Sequence, residues 1–292
     1  MDSFQILEHA VWGAIIARKF GNMNRRLENM YDVLGKTDAD VNQHTVGTKT
    51  LLQTAVSAGD FDVVKMLLCS GANPNIVYCD ARGDSRSALD CLSEICHMRG
   101  EQERYNIAEI LMQYDADVNT RSTRRSIPLL HICCSYGDLK FVELLFAYGV
   151  DTATLFGHEG GQLSITPLVF AVRNKYHPEN TVPLIQLLMR HGANIHLTDR
   201  YKHTLLHAIA TNKNGHNLSA MHFLVNHGVK DSEDEDGCSA GELAVNSAGP
   251  YVVSQQKAKQ FGDSLHEMFE EYQNGQHFPE FDKYSHLLFD TV

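Results

Sequence analysis

The segment 231–242 carries residue types that could bind calcium. Its sequence, DSEDEDGCSAGE, spaces acidic side chains ahead of a glycine. An EF-type loop needs oxygen ligands at positions 1, 3 and 5, glycine at position 6 and a bidentate glutamate at position 12. When Gly237 is placed at position 6, position 12 falls on Leu243, and Glu242 stands one residue too early. The spacing therefore predicts a turn between helices rather than a calcium loop.

Histidine and cysteine are frequent enough to be tested as metal ligands. His203 and His207 stand four residues apart, which places two side chains on one face of a helix. Two histidines do not complete a tetrahedral zinc site, and the spacing of Cys91 and Cys96 does not fit the close cysteine pair of such sites. We therefore predict no metal site.

The sequence also lacks the common catalytic motifs. It contains no Gly-x-Ser-x-Gly nucleophile elbow, no phosphate-binding loop ending in Gly-Lys-Ser or Gly-Lys-Thr, and no Gly-x-Gly-x-x-Gly motif. A cysteine and a histidine from distant segments could still pair, but seven cysteines and sixteen histidines make chance pairs common. We predict that the protein is not an enzyme and has no cofactor.

Composition limits the classes of function further. The 292 residues are 43% hydrophobic, which is enough to bury a core, and the formal net charge is −11. This charge argues against a bulk basic surface for nucleic acid or an anionic membrane. No apolar run of about 18 residues could span a bilayer, and the start lacks the basic residues and cleavage site of a signal peptide. Seven irregularly spaced cysteines favour reduced thiols and a cytoplasmic location, with the nucleus or a host-cell cytosol as alternatives.

A short phrase recurs along the chain and indicates an internal repeat. Its copies end 33 to 44 residues apart and read TDADVN, SGANPN, YDADVN, YGVDTA, HGANIH and HGVKDS. The preceding stretches, such as VVKMLLCSG and FVELLFAYG, space their apolar residues as one face of a helix does. The glycine that follows predicts a left-handed helix stop at Gly71, Gly149, Gly192 and Gly228.

A second phrase precedes each of these helices. It reads TLLQTAVSAGD from Thr50, PLLHICCSYGD from Pro128 and TLLHAIATN from Thr204. Thr or Ser in its first position can cap a helix by accepting backbone N–H groups, which predicts caps at Thr50, Ser87, Thr166, Thr204 and Ser239. Each unit is therefore predicted to contain a turn, a short helix, a loop, a second helix and a glycine stop.

The two phrases and their spacing resemble the ankyrin repeat, whose units of about 33 residues carry a Thr-Pro-Leu-His turn. The resemblance covers about residues 1–245 and implies an all-α solenoid of stacked helix-turn-helix units with short projecting turns. It divides the chain into an N-terminal capping helix pair at 1–42, repeats at 43–245, a C-terminal capping helix at 246–273 and an aromatic-rich tail at 274–292. The repeats are assigned to 43–75, 76–119, 120–153, 154–196, 197–232 and 233–245 onward.

The resemblance also assigns roles to particular segments. His131 and His207 take the histidine position of the turn phrase, where the imidazole bonds the neighbouring backbone. The longer units carry insertions that we expect between their two helices, at 97–106, 174–183 and 211–218. These insertions are interpreted as either functional or neutral.

The family resemblance implies that a protein partner binds the concave face formed by the turns and the first helices. The expected contact residues are Lys49, Arg82, Arg86, Arg124, Arg125, Tyr136, Arg200, Tyr201 and His203. Arginine next to tyrosine is typical of interface hot spots, and the planar guanidinium suits carboxylates. We therefore expect an acidic or phosphorylated partner segment; turns charged only for solubility are the alternative. The acidic turn at 231–236 would add a charge gradient that orients the partner.

Two asparagines resemble the substrate pattern of the asparaginyl hydroxylase that modifies ankyrin repeats. Asn42 and Asn119 each follow Asp-Val and have a leucine eight residues earlier, at Leu34 and Leu111. The alternative is that Asp-Val-Asn only closes the repeat.

Together these features predict a non-enzymatic interaction scaffold that binds protein partners as a monomer, with no nucleic acid and no membrane. One alternative is a ubiquitin-ligase adaptor that recruits through its C-terminal region, because FPEFDKYSHLLF resembles the end of a SOCS box. The first helix of that box has no counterpart in the sequence. A second alternative is a pathogen or viral effector that binds host proteins through its repeats.

Overall fold

The computed structural model describes residues 2–19, 23–36, 38–43, 48–79, 85–92, 101–122, 127–151, 166–174, 176–212, 217–247, 259, 262–267 and 270. The chain divides into two compact units, unit 1 at Met1–Asp151 and unit 2 at Thr152–Val292. Each unit is considered by itself below. No described helix has both the length and the apolar character needed to cross a membrane.

Unit 1 contains eight helices among its described residues. They are α1 (Ser3–Lys19), α2 (Met23–Lys36), α3 (Leu51–Ser57), α4 (Phe61–Cys69), α5 (Ala88–Cys91), α6 (Glu101–Gln113), α7 (Leu129–Tyr136) and α8 (Leu139–Ala147). Two projecting turns form short antiparallel hairpins, β1 (Tyr78–Cys79) with β2 (Ser85–Arg86) and β3 (Arg121–Ser122) with β4 (Ile127–Pro128).

Unit 2 repeats the same helical plan. Its helices are α9 (Pro167–Val172), α10 (Thr181–Arg190), α11 (Leu205–Ala210), α12 (Leu218–Asn226) and α13 (Ala240–Ser247), with a short 3-10 helix at Pro178–Asn180 ahead of α10. Residues 262–267 are also helical, and Leu265 there is 1% exposed. This segment packs closely on α13, because a Cβ added to Gly241 would lie 3.5 Å from the Cα of Gly262.

The helices of each unit pack in two layers. Within a repeat the two helices contact each other, as α3 with α4, α7 with α8, and α9 with α10. First helices then stack on first helices, α3 on α5 and α9 on α11, while second helices stack on second helices, α4 on α6 and α10 on α12. This arrangement confirms the predicted all-α ankyrin solenoid and places the core between the layers.

Apolar periodicity and small residues account for that core. Val63, Val64 and Leu67 of α4 are fully buried, as the spacing of VVKMLLCSG predicts. Ala55 of α3 and Ala171 of α9 are also fully buried, and their small side chains let neighbouring helices approach closely.

The predicted helix stops are present in the backbone. Gly71, Gly149, Gly192 and Gly228 have φ between 78° and 95°, a left-handed conformation that favours glycine. In the repeat that reads YDAD, Asp115 takes the same conformation with φ of 60°.

Most of the predicted helix caps are formed, with one exception. The side chain of Thr50 accepts the Gln53 N–H while Gln53 accepts the Thr50 N–H, a reciprocal capping box that Ser87 and Thr204 also form. Thr166 occupies the cap position of α9, but its side chain makes no capping hydrogen bond. Pro167 has no N–H to offer, and Val169 cannot return a bond as Gln53 does.

The insertions are more helical than the sequence predicts. Helix α6 begins at Glu101, inside the expected loop 97–106. Helix α10 begins at Thr181 and the 3-10 helix lies directly before it, so 178–183, within the expected loop 174–183, is helical. These residues lengthen the second helices of their repeats at the N-terminal end.

Candidate functional site

In unit 1 the turn residue Lys49 lies against the hairpin of the next repeat. Its Nζ donates to Ser57 Oγ at 2.7 Å and lies 5.8 Å from the ring centroid of Tyr78, within the range of a cation–π contact. Tyr78 is paired with Arg86 across β1 and β2. Directly paired residues of antiparallel strands project to the same face. Two half-buried cations therefore lie beside one buried aromatic ring in unit 1.

The hairpin that carries Arg86 is anchored by the first helix of the preceding repeat. The side chain of Gln53 in α3 donates through Nε2 to the carbonyl oxygens of Ile76, at 2.6 Å, and Arg86, at 3.2 Å. Strand β2 lies beside β3 of the following repeat, which begins at Arg121. Backbone contacts thus fix the spacing of neighbouring basic turns.

Asparagine side chains join successive turns of unit 1. Asn75 donates through Nδ2 to the carbonyl oxygen of Asp115 at 2.8 Å, and its Oδ1 accepts the N–H of Asp117 at 2.8 Å. Asn42 makes the corresponding bonds to Gly71 and Asn73, and Asn119 accepts the N–H of Asp151. The two asparagines predicted to be hydroxylated therefore occupy a structural position in the stack.

In unit 2, His203 lies between the carboxylates of two successive turns. Its Nδ1 is 3.0 Å from Asp199 Oδ2, and its Nε2 is 3.4 Å from Asp234 Oδ2. The imidazole can donate to both sides only when it is protonated. Asp199 and Asp234 also accept backbone N–H groups of their own turns, at Tyr201, His203, Asp236 and Cys238. The backbone bond from Cys238 is the main reason that the pKa of Asp234 is lowered.

His207 is a structural residue, as the family resemblance implies. Its Nδ1 accepts the Thr204 N–H at 3.1 Å, and its Nε2 lies 3.4 Å from the carbonyl oxygen of Cys238 in the next repeat. Burial lowers the pKa of His207, opposed by its bond to Cys238 and by the charge of Asp231. The neutral imidazole thus caps α11 and joins two repeats.

The fifth turn also carries a stacked cation. The guanidinium carbon of Arg200 lies 4.6 Å from the ring centroid of Tyr201, and both residues are exposed. The carbonyl oxygen of Tyr201 accepts the Glu235 N–H of the sixth turn at 3.0 Å. Basic and acidic turns are therefore direct neighbours within unit 2.

The segment 231–242, tested above as a calcium loop, bonds mainly to its own backbone. Asp231 Oδ1 accepts the Ala240 N–H, and Glu242 Oε2 accepts the Ser239 N–H at the start of α13. Gly237 has the left-handed φ of a turn, 76°. Among the described residues, no group of three or more histidine, cysteine or acidic side chains could hold a metal ion.

A pocket of about 310 Å³ opens in unit 2 beneath the fifth turn. It lies between α9, α11 and α13 and contains Arg173, which is the C-cap of α9. Arg173 is not among the contact residues predicted from the sequence. Aligning TPLVFAVRN with TLLHAIATN would have matched Arg173 to Thr211, the C-cap of α11 in the next repeat.

The structure locates six of the nine predicted contact residues. Lys49 and Arg86 lie together in unit 1, and Tyr136 is the last residue of α7. Arg200, Tyr201 and His203 share the fifth turn of unit 2. Arg82, Arg124 and Arg125 lie outside the described residues.

Comparisons with known proteins place the chain among proteins of this fold. Residues 49–78 match the family model "Ankyrin repeat". A putative ankyrin repeat protein of Escherichia coli K12, YahD, is 28% identical over 181 residues, which cover 52% of this chain and 84% of that protein. A putative ankyrin repeat protein of Acanthamoeba polyphaga mimivirus, L91, is 34% identical over 85 residues, which cover 27% of this chain but only 13% of the viral protein.

A solved structure supports the same conclusion at the level of the fold. The human ASB11 ankyrin repeat domain aligns with 88% of this chain and 96% of its own, with a TM-score of 0.56 and 20% identity. The repeated sequence phrases, the layered helices, the hairpin turns and these similarities agree. The chain has the ankyrin-repeat fold, and residues 49–78 match the ankyrin-repeat family itself.

Proposed function

We propose that this protein is a non-enzymatic, monomeric scaffold that holds an acidic or phosphorylated segment of a protein partner against its basic turns. Ankyrin repeats are protein-interaction modules, so a protein partner is the general expectation for this fold. The observation that carries the specific proposal is the pair of half-buried cations, Lys49 and Arg86, that lies beside the buried Tyr78 ring in unit 1.

Charge supports an acidic partner for this surface. The whole chain has a net charge of −11, so a cluster of cations on successive turns stands out from its surroundings. The planar guanidinium group of Arg86 can bind a carboxylate or a phosphate through two parallel hydrogen bonds. Strand β3 of the next turn lies beside β2, so the two turns are neighbours along the stack.

Charge reversal with a matched control tests the proposal. The full chain is used as bait in affinity purification with quantitative mass spectrometry, and candidate segments of captured proteins are then synthesised for direct binding. The test variant is Lys49→Glu with Arg86→Glu. The control, Lys65→Glu with Lys140→Glu, makes the same charge change at exposed positions of the second helices α4 and α8.

We expect the test variant to weaken binding of the segment at least about tenfold, equivalent to about 1.4 kcal/mol, and the control to leave it nearly unchanged. Affinity should also fall with added salt, because Lys49 and Arg86 are only half-buried and salt screens charges that water reaches. Equal losses in both variants, or partner segments without acidic or phosphorylated residues, would show that the proposal is wrong. Arg124→Glu with Arg125→Glu extends the test to the next turn.

We propose a cytoplasmic location on the basis of the thiols. Cys69, Cys79, Cys134 and Cys238 are free, and burial raises the pKa of the Cys134 thiol well above its usual range. Free thiols fit a reducing compartment. Localisation of a tagged full chain tests this expectation.

The effector role remains a second candidate, supported by the similarity of part of the chain to a viral ankyrin repeat protein. The ligase-adaptor alternative depends on residues 274–292, which lie outside the described residues. Capture with and without residues 274–292 separates these functions. Loss of ligase components alone would favour the adaptor, whereas retention of every partner would favour binding by the repeats.

A further inference from the structure

The pocket of about 310 Å³ in unit 2 is lined by both apolar and polar residues. Val169, Ala208 and Leu243 are the apolar ones. Arg173, His203 and Thr211 are among the polar residues that line it. This volume is at the lower end of ligand pockets and suits a single amino-acid side chain.

The carboxylates near the pocket are already committed to the protein. Both oxygens of Asp199 are used, since Oδ1 accepts the N–H groups of Tyr201 and His203 and Oδ2 faces the His203 ring. Asp234 is used in the same way by Asp236, Cys238 and His203, and its side chain is only 3% exposed. Neither carboxylate is positioned to receive a cation from outside.

The guanidinium of Arg173, in contrast to these carboxylates, is bonded only weakly. Its guanidinium donates to Thr211 Oγ1 at 3.3 Å and to the carbonyl oxygen of Ala208 at 3.5 Å, which are long bonds to neutral acceptors. Among the described residues, no carboxylate lies within ion-pair distance of it. The Arg173 side chain is exposed, although partial burial lowers the pKa of Arg173, with the charge of Asp199 acting in the opposite direction. The guanidinium is therefore open to an anionic group that enters the pocket from solvent.

We propose that this pocket binds the side-chain carboxylate of a glutamate from a protein partner, held by the guanidinium fork of Arg173. The proposal rests on the proposed function, since it names one anchor residue of an acidic partner segment. The glutamate methylenes would cover Val169, Ala208 and Leu243, while its carboxylate replaces the long bonds of Arg173 with charge-assisted ones.

A carboxylate fits this site better than a phosphate or a cation. Phosphate sites generally use clusters of arginine, whereas Arg173 is the one arginine or lysine among the pocket's lining residues. The nearby negative charge of Asp199 would also repel a dianion more strongly than a monoanion. A lysine from a partner would meet Arg173 and find both carboxylates already bonded.

The experiment uses the full chain labelled with ¹⁵N-arginine and three probes: N-acetylglutamate methylamide and the corresponding capped glutamine and capped phosphoserine. The Nε–H signal of Arg173 is assigned by its loss in Arg173→Gln. We expect the capped glutamate to shift this signal saturably, with weak affinity appropriate to so small a ligand. Arg190→Gln, which removes an exposed arginine from the end of α10, should leave the shift unchanged.

A second variant, Arg173→Lys, retains the positive charge but cannot form two parallel hydrogen bonds to a carboxylate. We expect its affinity for the capped glutamate to fall at least about fivefold. Thermal unfolding of each variant verifies that the fold is intact. The proposal is overturned if capped glutamate produces no saturable shift, if capped glutamine produces an equal shift, or if capped phosphoserine binds more tightly.

Failure of this proposal and failure of the scaffold function are distinguishable. If Arg173→Gln retains full affinity for a captured segment that Lys49→Glu with Arg86→Glu no longer binds, the scaffold stands and the glutamate pocket is refuted. If capped glutamate binds Arg173 but no acidic segment is captured, the pocket stands as an anion site and the scaffold proposal fails.

Discussion

The Nε2 of His207 lies 3.4 Å from the carbonyl oxygen of Cys238, so one imidazole links the fifth repeat to the sixth. The opposite nitrogen, Nδ1, accepts the backbone N–H of Thr204. This pair of bonds requires a neutral ring with its proton on Nε2. The packing of unit 2 therefore depends on the protonation state of His207.

This dependence predicts that acid weakens unit 2 through His207. Its pKa is lowered from the ordinary value of 6.5, mainly by burial. The unfolded chain then binds the proton more readily than the folded chain, so the free energy of unfolding decreases as the pH falls from 6.5 toward the lowered pKa. His207→Gln should reduce this slope and preserve the cap, because Gln53 forms the same capping box in the first repeat.

Urea unfolding at a series of pH values between about 5 and 8 measures this effect, since this is the range in which histidine usually titrates. The exposed His196 gives a matched control, and His196→Gln should leave the slope as it is in the unchanged protein. If His207→Gln and the unchanged protein lose stability in parallel, His207 does not cause the pH dependence.

A second prediction concerns the asparagines between turns. Asn75→Ala removes two hydrogen bonds to the next repeat, those to Asp115 and Asp117. We expect the free energy of unfolding to decrease by about 1–2 kcal/mol, since each hydrogen bond contributes roughly 1 kcal/mol net. Gln102→Ala is the control, because the amide of Gln102 bonds to Asn106 within the same helix. Chemical denaturation compares the two; equal losses would argue against a coupling role for Asn75.

A third prediction concerns the ion pair between Arg104 of α6 and Asp138, the N-cap of α8. Arg104 is 5% exposed, so Asp138→Ala would leave a buried charge without this carboxylate and would also remove the cap. We expect a loss of about 3–5 kcal/mol in the free energy of unfolding. Asp138→Asn keeps a capping oxygen and should cost less. A small and equal loss in both variants by urea denaturation would contradict this account.

A fourth prediction concerns the hydroxylation proposed for Asn42 and Asn119. Co-expression with an asparaginyl hydroxylase that acts on ankyrin repeats should add one oxygen atom at each residue, which intact-mass and peptide mass spectrometry detect. Asn75 is an internal comparison, because it has Leu67 eight residues earlier but follows Asn-Pro instead of Asp-Val. An unchanged mass, or equal modification of Asn75, would show that the Asp-Val-Asn pattern is not the recognition signal.

The sequence predicted the repeat plan because each repeat is built from local signals. Apolar spacing such as that of Val63, Val64 and Leu67 specifies which face of a helix is buried, and Gly71 specifies where that helix ends. The extended starts of α6 and α10 were not predicted, because the loops and helices of an insertion use similar polar residues.

What the sequence determined by itself was therefore the fold and the positions of most turns, since helix periodicity, caps and left-handed stops act over a few residues. The tertiary structure decided which of those residues meet. Asp199 and Asp234 are 35 residues apart in the chain, yet both lie next to the imidazole of His203 beside the pocket. Arg173 becomes a candidate anchor because the stacking of α9 on α11 brings it to two neutral hydrogen-bond acceptors, Ala208 and Thr211, a property that depends on distance in space and not on spacing along the chain.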